Sequence, residues 1–285
     1  MDDSPDQEGK AEVKSFCDPR IQYLPNRERL GCSGNIDQAF VTSSLTNSSF
    51  ACVLEDDNWY LPKFLEYNIH ALEQHCLSVL LRNQAIFIEG NNANPVFTGN
   101  TTRGHIFTEG VVTVLQLRSS IFFCEGVSNG GLFWRTSAKS NLQVGPSVMT
   151  SPMQEYCRTI RISEPIVYAA EPLAIFSLAR ETSRERLANR AFNRGRQSIL
   201  QRLISYYGHD LIRSARAIAT TPAMQWQIDA ALCDTLRFPM LSATGYTWEG
   251  LFRIAKGIAK MATTADPLAR FWRKEGTSIF THDNL

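Results

Sequence analysis

Apolar and polar positions alternate here in a way that changes character part-way along the chain. Ser49 to Leu54 is a continuous apolar run, the pattern of a strand buried on both faces of a parallel sheet. Ser78 to Leu81 and Ala85 to Ile88 read as extended, as does Arg20 to Leu24. Val111 to Leu117 predicts another strand, and Ile121 to Cys124 is short and apolar. Gly130 and Gly131 predict a tight turn into an aromatic strand at Leu132 to Arg135, and Glu164 to Phe176 is again extended. Between these runs the spacing becomes helical. Asn35 to Ser44 places Ile36, Ala39 and Phe40 on one face. Leu61 to Gln74 turns Leu65, Ile69 and Leu72 inward, and Gln154 to Ile160 is a further helix. Pro25 to Gly34 and Gly90 to Arg103 read as loops. Short strands alternating with helices predict an α/β sheet over residues 1–180. From about Arg180 onward the pattern is helical: Arg184 to Tyr207, Pro222 to Leu236 and Thr247 to Ala262, making 181–285 a helical C-terminal region.

The most informative stretch is Glu55-Asp56-Asp57, placed directly after an apolar strand and before Pro62 and a helix. Adjacent carboxylates repel and resist desolvation. A chain that sets them at a strand end has use for a cation there, and oxygen-only ligands favour Mg²⁺ or Mn²⁺, often with a phosphate. The alternative is a solvated acidic turn favoured by the following helix N-terminus.

Composition narrows the classes. The 285 residues are 44% hydrophobic and 20% charged, ordinary for a globular chain. A net charge of +1 gives no electrostatic signature of nucleic-acid binding. Seven cysteines with no Cys-x-x-Cys pair suit a reduced, cytoplasmic protein, and the acidic start is no secretory leader. Between Arg180 and Arg216 stand nine arginines against three acids. A solvated helix face is the plain reading of helix 184–207; peripheral contact with an anionic inner membrane face is the second.

In order along the chain, several segments resemble family 2 glycosyltransferases of the GT-A fold. Asp2-Asp3-Ser4-Pro5-Asp6 resembles the family's early acidic motif, and Asp18-Pro19-Arg20-Ile21 with Asn26, Gly31 and Asn35 resembles the stretch that follows it. Glu55 to Pro62 resembles the metal motif, Gly131 to Arg135 the acceptor-facing strand, and Glu171-Pro172-Leu173-Ala174 the end of the catalytic domain. The resemblance implies a Rossmann-like, mostly parallel sheet flanked by helices over 1–180, lacking the strand, helix and strand that usually precede the first motif. A chain starting at that motif is expected to be unstable or inactive without upstream residues.

The implied activity is transfer of a sugar, with inversion, from a nucleotide-diphosphate donor to an acceptor hydroxyl, in cell-envelope polysaccharide or glycolipid synthesis. Asp2, Asp3 and Asp56 would contact the nucleotide sugar. Arg27 or Arg29 would hold the diphosphate, or else are solvated loop charges. Asp57 and Glu55 would bind the divalent metal. Trp134 and Arg135 would meet a sugar or lipid-linked acceptor, although an aromatic there also suits a core. The family's acidic pair before an Arg falls on Ser151-Pro152, counted back from Arg158. Glu155 is the nearest carboxylate and the first candidate base, with Glu125 second; a solvent-facing pairing of Glu155 with Arg158 is the structural alternative. The competing function is a catalytically degenerate domain that serves as a binding or scaffold protein.

Overall fold

The computed structural model describes residues 1–41, 47–89, 95–148, 150–178, 185–235, 265–276 and 278–280. It is an α/β structure: a 7-stranded sheet with helices against both faces. The strands are β1 (Phe50–Cys52), β2 (Trp59–Tyr60), β3 (Val79–Glu89), β4 (Pro95–Thr101), β5 (Gly110–Val112), β6 (Leu132–Arg135) and β7 (Ile166–Leu178). The path runs β1-β6-β3-β7-β2, with β4 also on β3 and β5 also on β7.

Alternation along the central strands builds two cores. Val79 and Leu81 of β3, Leu132 and Trp134 of β6, and Ile166 and Tyr168 of β7 join the larger one. Leu80, Phe133, Val167 and Ala169 point the other way, onto Phe64 and Leu72 of α3 (Phe64–His75). A strand feeding both faces has no polar side, which is why these runs read as continuously apolar. The larger core is completed by α4 (Val114–Ser119), α5 (Ser151–Arg161), α6 (Glu185–Tyr207), α7 (His209–Ile218), α8 (Pro222–Asp234) and a last helix, Ala269–Glu275.

Several expectations need correction. The sheet is not mostly parallel: among the described strands only β3 and β7 pair in parallel, and the other pairings are antiparallel. β1 is half-buried and pairs antiparallel with β6, so its apolar run is an edge rather than a centre. β3 continues unbroken through Arg82, Asn83 and Gln84, because neighbouring elements give each of these buried polar side chains at least one hydrogen-bond partner. The expected strand Val111 to Leu117 stops at Val112. Thr113 and Gln116 form a reciprocal capping box that starts α4 instead. Part of the expected loop 90–103 is β4. Arg20 to Leu24 forms no strand, only an isolated bridge from Pro25 to Asp2. The inward face of α3 is Phe64, Asn68 and Leu72, while Leu65 is 56% exposed. The N-terminal helices are α1 (Gly9–Ser15) and α2 (Gly31–Asp37), the latter starting inside the expected loop 25–34. Helix α7 was not legible; it begins after Gly208, whose φ of +60° ends α6. The expected helix Thr247 to Ala262 lies outside the described residues.

Candidate functional site

The site is assembled where the turn after β1 meets the turn before β6. Glu55 closes its own turn, its carbonyl accepting from the Asn58 N–H at 3.2 Å. Asn58 then donates from Nδ2 to Glu55 Oε2 at 3.0 Å, and its Oδ1 accepts from the Ser177 N–H of β7 at 2.9 Å. That clamp turns Glu55 inward. Burial, then Glu155, then Asp57 push its pKa up to about 7, against the opposing pull of Asn129 and Asn58 hydrogen bonds.

Glu155 lies in the second turn of α5, with Pro152 in the first. Its Oε1 accepts from the backbone N–H of Asn129 at 2.8 Å. Burial raises its pKa, opposed chiefly by the charge of Arg103. Asn129 is itself fixed on both sides. Its Nδ2 donates to Ser151 Oγ at 3.1 Å, and its Oδ1 accepts from Arg158 at 2.6 Å. Arg158 does not pair with Glu155 on the helix surface. It is buried over the Phe40 ring at 3.6 Å, donates to the Leu142 carbonyl at 2.9 Å, and pairs with Asp37 at 2.9 Å. Asp37 in turn accepts from the Val144 and Gly145 N–H groups, so both members of this buried ion pair have further hydrogen bonds.

Glu125 stands at the other flank, paired with Arg103 at 2.9 Å, and His105 Nε2 lies 3.6 Å from it. Burial raises its pKa and Arg103 opposes the rise. Arg103 is held by the Gly126 carbonyl at 2.6 Å and by the Thr102 carbonyl at 3.0 Å. Below the carboxylates lies Gln84 of β3, fully buried, its Oε1 accepting from Ser128 Oγ at 2.5 Å. Its Nε2 has no partner among the described residues, an arrangement that costs about 1–3 kcal/mol when nothing fills it.

Residues 1–125 match a known family, described as Glycosyl transferase family 2. This part of the chain is similar to family 2 glycosyltransferases. The match contains Glu55, Gln84, Arg103 and Glu125 and ends before Asn129 and Glu155. Two solved structures similar to the chain are of S. aureus TarS, residues 1–349. One is in complex with UDP, at 12% identity and TM-score 0.47, covering 98% of this chain and 76% of that one. The other is in complex with UDP-GlcNAc, at 11% identity and TM-score 0.42, covering 96% and 71%. No curated protein matches the chain.

Within residues 1–125, the remaining candidates are placed unevenly. Asp56 and Asp57 are exposed on the Glu55 turn. Among the described residues no three His, Cys, Asp or Glu side chains converge to hold a metal ion. Mg²⁺ and Mn²⁺ sites of this kind need only one or two carboxylates beside substrate phosphates, and the adjacent Asp57 and Glu55 suit that arrangement. Asp2 and Asp3 are occupied internally. Asp2 accepts from the Ser4 and Gly9 N–H groups and the Tyr23 hydroxyl; these bonds, Tyr23 first, hold its pKa down at about 2. Asp3 accepts from Leu30, Gly31 and Asn26, holding the start of α2 and lowering its own pKa. Arg27 and Arg29 are exposed.

The acceptor expectation is not met by β6. Trp134 is wholly buried, stacked on Phe40 at 5.3 Å, so its ring belongs to the core and faces no acceptor. Arg135 lies over the Phe50 ring at 4.8 Å and donates to the Leu77 carbonyl. On the arginine-rich helix, Arg196 contacts Cys124 Sγ, Arg194 donates to Gln197, and Arg202 sits over the Trp272 ring at 4.4 Å. Among the described residues no helix is long and apolar enough to cross a membrane. Asn58, Arg103, Asn129 and Gln84 escaped sequence reasoning; the one visible signal was a polar triplet, Arg82-Asn83-Gln84, interrupting an apolar strand.

Proposed function

We propose that the chain transfers a sugar from a nucleotide-diphosphate donor to an acceptor hydroxyl with inversion, Glu155 serving as the base. The observation that carries this reading is the convergence of Glu155 and Glu55 on the Asn129 turn, one carboxylate bonded to its N–H and the other tied by Asn58. A base works best when its pKa lies near the working pH, and burial moves both carboxylates in that direction. The acceptor oxygen forms the new bond to the anomeric carbon while the bond to the diphosphate breaks. The acceptor proton passes to Glu155, and the bonding pair leaves with the diphosphate. Glu125 is the weaker base because Arg103 already holds it as an ion pair.

Asp57, with Glu55 beside it, would hold a divalent ion, which neutralises charge on the leaving diphosphate. Asp56 and the exposed Arg27 and Arg29 are the nucleotide-sugar contacts we retain. An acceptor from envelope polysaccharide or glycolipid synthesis suits this reading. The second reading, a degenerate domain kept for binding, draws support from the internal use of Asp2 and Asp3.

Calorimetric titration of UDP and of GDP into the full chain, with Mn²⁺ and with EDTA, tests the pair. Transferase chemistry expects one nucleotide to bind and E155Q to keep that affinity while losing transfer. Binding of neither nucleotide, with or without metal, would overturn it in favour of the second reading.

A further inference from the structure

Glu155 is held by one oxygen only. Its Oε1 accepts from the Asn129 N–H at 2.8 Å, while Oε2 has no hydrogen bond among the described residues, in a residue that is half-buried. Thr159 fixes the helix backbone beneath it. Its Oγ1 donates to the Glu155 carbonyl at 2.7 Å and accepts from the Val127 N–H at 2.9 Å. Where the carboxylate points therefore depends on one main-chain donor. A main-chain N–H has no rotamers, so it aims only as well as its turn is held.

That turn does little to hold itself. The Gly131 N–H reaches the Ser128 carbonyl at 3.3 Å, and the Leu132 N–H reaches the Asn129 carbonyl at 3.3 Å; both are long bonds. The Asn129 side chain supplies what is missing. Its Oδ1 accepts from the Arg158 guanidinium at 2.6 Å, a charge-assisted bond, and its Nδ2 donates to Ser151 Oγ at 3.1 Å. Arg158 can only donate, so it decides which end of the amide it meets. It is itself pinned, because the Leu142 carbonyl and Asp37 take its other nitrogens. Ser151, Glu155 and Arg158 stand four and three residues apart, on one face of α5. Asn129 thus spans two turns of that helix, its main chain on the carboxylate and its side chain anchored on either side.

We propose that Asn129 is the positioning residue for the base. Clamped by Arg158 and Ser151, it aims the N–H that fixes Glu155 Oε1 and leaves Oε2 open to the acceptor hydroxyl. This inference rests on the transferase reading above and gives it a second residue that acts through the first.

The test reads nucleotide release from UDP-GlcNAc, UDP-glucose and GDP-mannose by the full chain, with water as acceptor and the fastest donor carried forward. The water oxygen bonds to the anomeric carbon, the diphosphate leaves with the bonding pair, and the water proton passes to Glu155. N129A should lower kcat by about 10- to 100-fold and keep the donor KM within about twofold. The deciding comparison is E155Q with and without N129A. A residue that acts through Glu155 has no base left to aim there, so the double variant should match E155Q within about twofold. A structural residue would slow both backgrounds by the same factor, and that additive result overturns the proposal. So does a folded N129A with unchanged kcat. Should N129A fail to fold, S151A takes its place, because Ser151 is half-buried at the start of α5 and its loss removes one anchor only. It should lower kcat by about three- to fivefold, and by nothing further in E155Q. An unchanged kcat or an additive loss overturns the role. No release by the unaltered chain, or full release by E155Q, would instead bring down the transferase reading itself.

Discussion

Asp2 and Glu55 each open an acidic motif, yet their surroundings drive them in opposite directions. Asp2 lies in an exposed segment and collects donors from Ser4, Gly9 and Tyr23, which favour its charge. Glu55 is turned inward, where burial first and then a second carboxylate favour its proton. The identity of a residue therefore says little about its chemistry; what matters is whether it is buried and whether its neighbours are donors or other acids. One region has spent its carboxylates on holding its own backbone, and the other sets two of them close together under cover.

Activity offers the widest separation between the two regions. E155Q should lower sugar transfer by roughly 10²–10⁴-fold with nucleotide affinity retained. D2N, measured alongside it by donor consumption, should lose far less. Equal losses would erase the contrast. Next in size is the tie between the regions. R158M leaves Asp37 buried without its partner and should cost about 3–5 kcal/mol in urea unfolding. A loss well under that would mean Asp37 finds other partners.

The pH dependence of stability should show the contrast directly. Glu55 holds its proton more tightly folded, at about 7 against an ordinary 4.5. Its contribution is therefore complete below pH 4.5 and is lost as pH rises towards 7, by about 3 kcal/mol. E55Q should flatten that fall in metal-free urea titrations. Asp2 has the reverse sign: its contribution is present above pH 3.8 and disappears as pH drops through about 2, a limb that D2N should remove. The smallest effect is expected from D3N, which should speed amide exchange at Leu30 and Gly31 and leave global melting nearly unchanged.

Much of this fold was legible wherever one face of an element met one core. α3, α5 and α8 follow from helical spacing, and β7 from its apolar run. The failures share a cause. β3 seemed broken at Arg82 because the groups that satisfy it, Asn68 and the Glu171 carbonyl, are 14 and 89 residues away. Strand direction was misread because an apolar run shows burial and not the direction of its neighbour. In the site, Glu55 and Glu155 were visible as carboxylates near recognisable motifs. Asn129 and Arg103 were not, since each works through a backbone contact 26 or 23 residues distant. Trp134 was misplaced because an aromatic at a strand end looks the same in sequence whether it faces solvent or Phe40.

The polar centre of β3 also bears on how the chain is made. Its parallel neighbour β7 starts at Ile166, so at about 5–20 residues per second β3 leaves the ribosome seconds before that partner exists. An all-apolar strand kept waiting would invite pairing between nascent chains. Arg82, Asn83 and Gln84 interrupt that apolar run, a pattern that disfavours such pairing, and they are buried once β6 and β7 pair with β3.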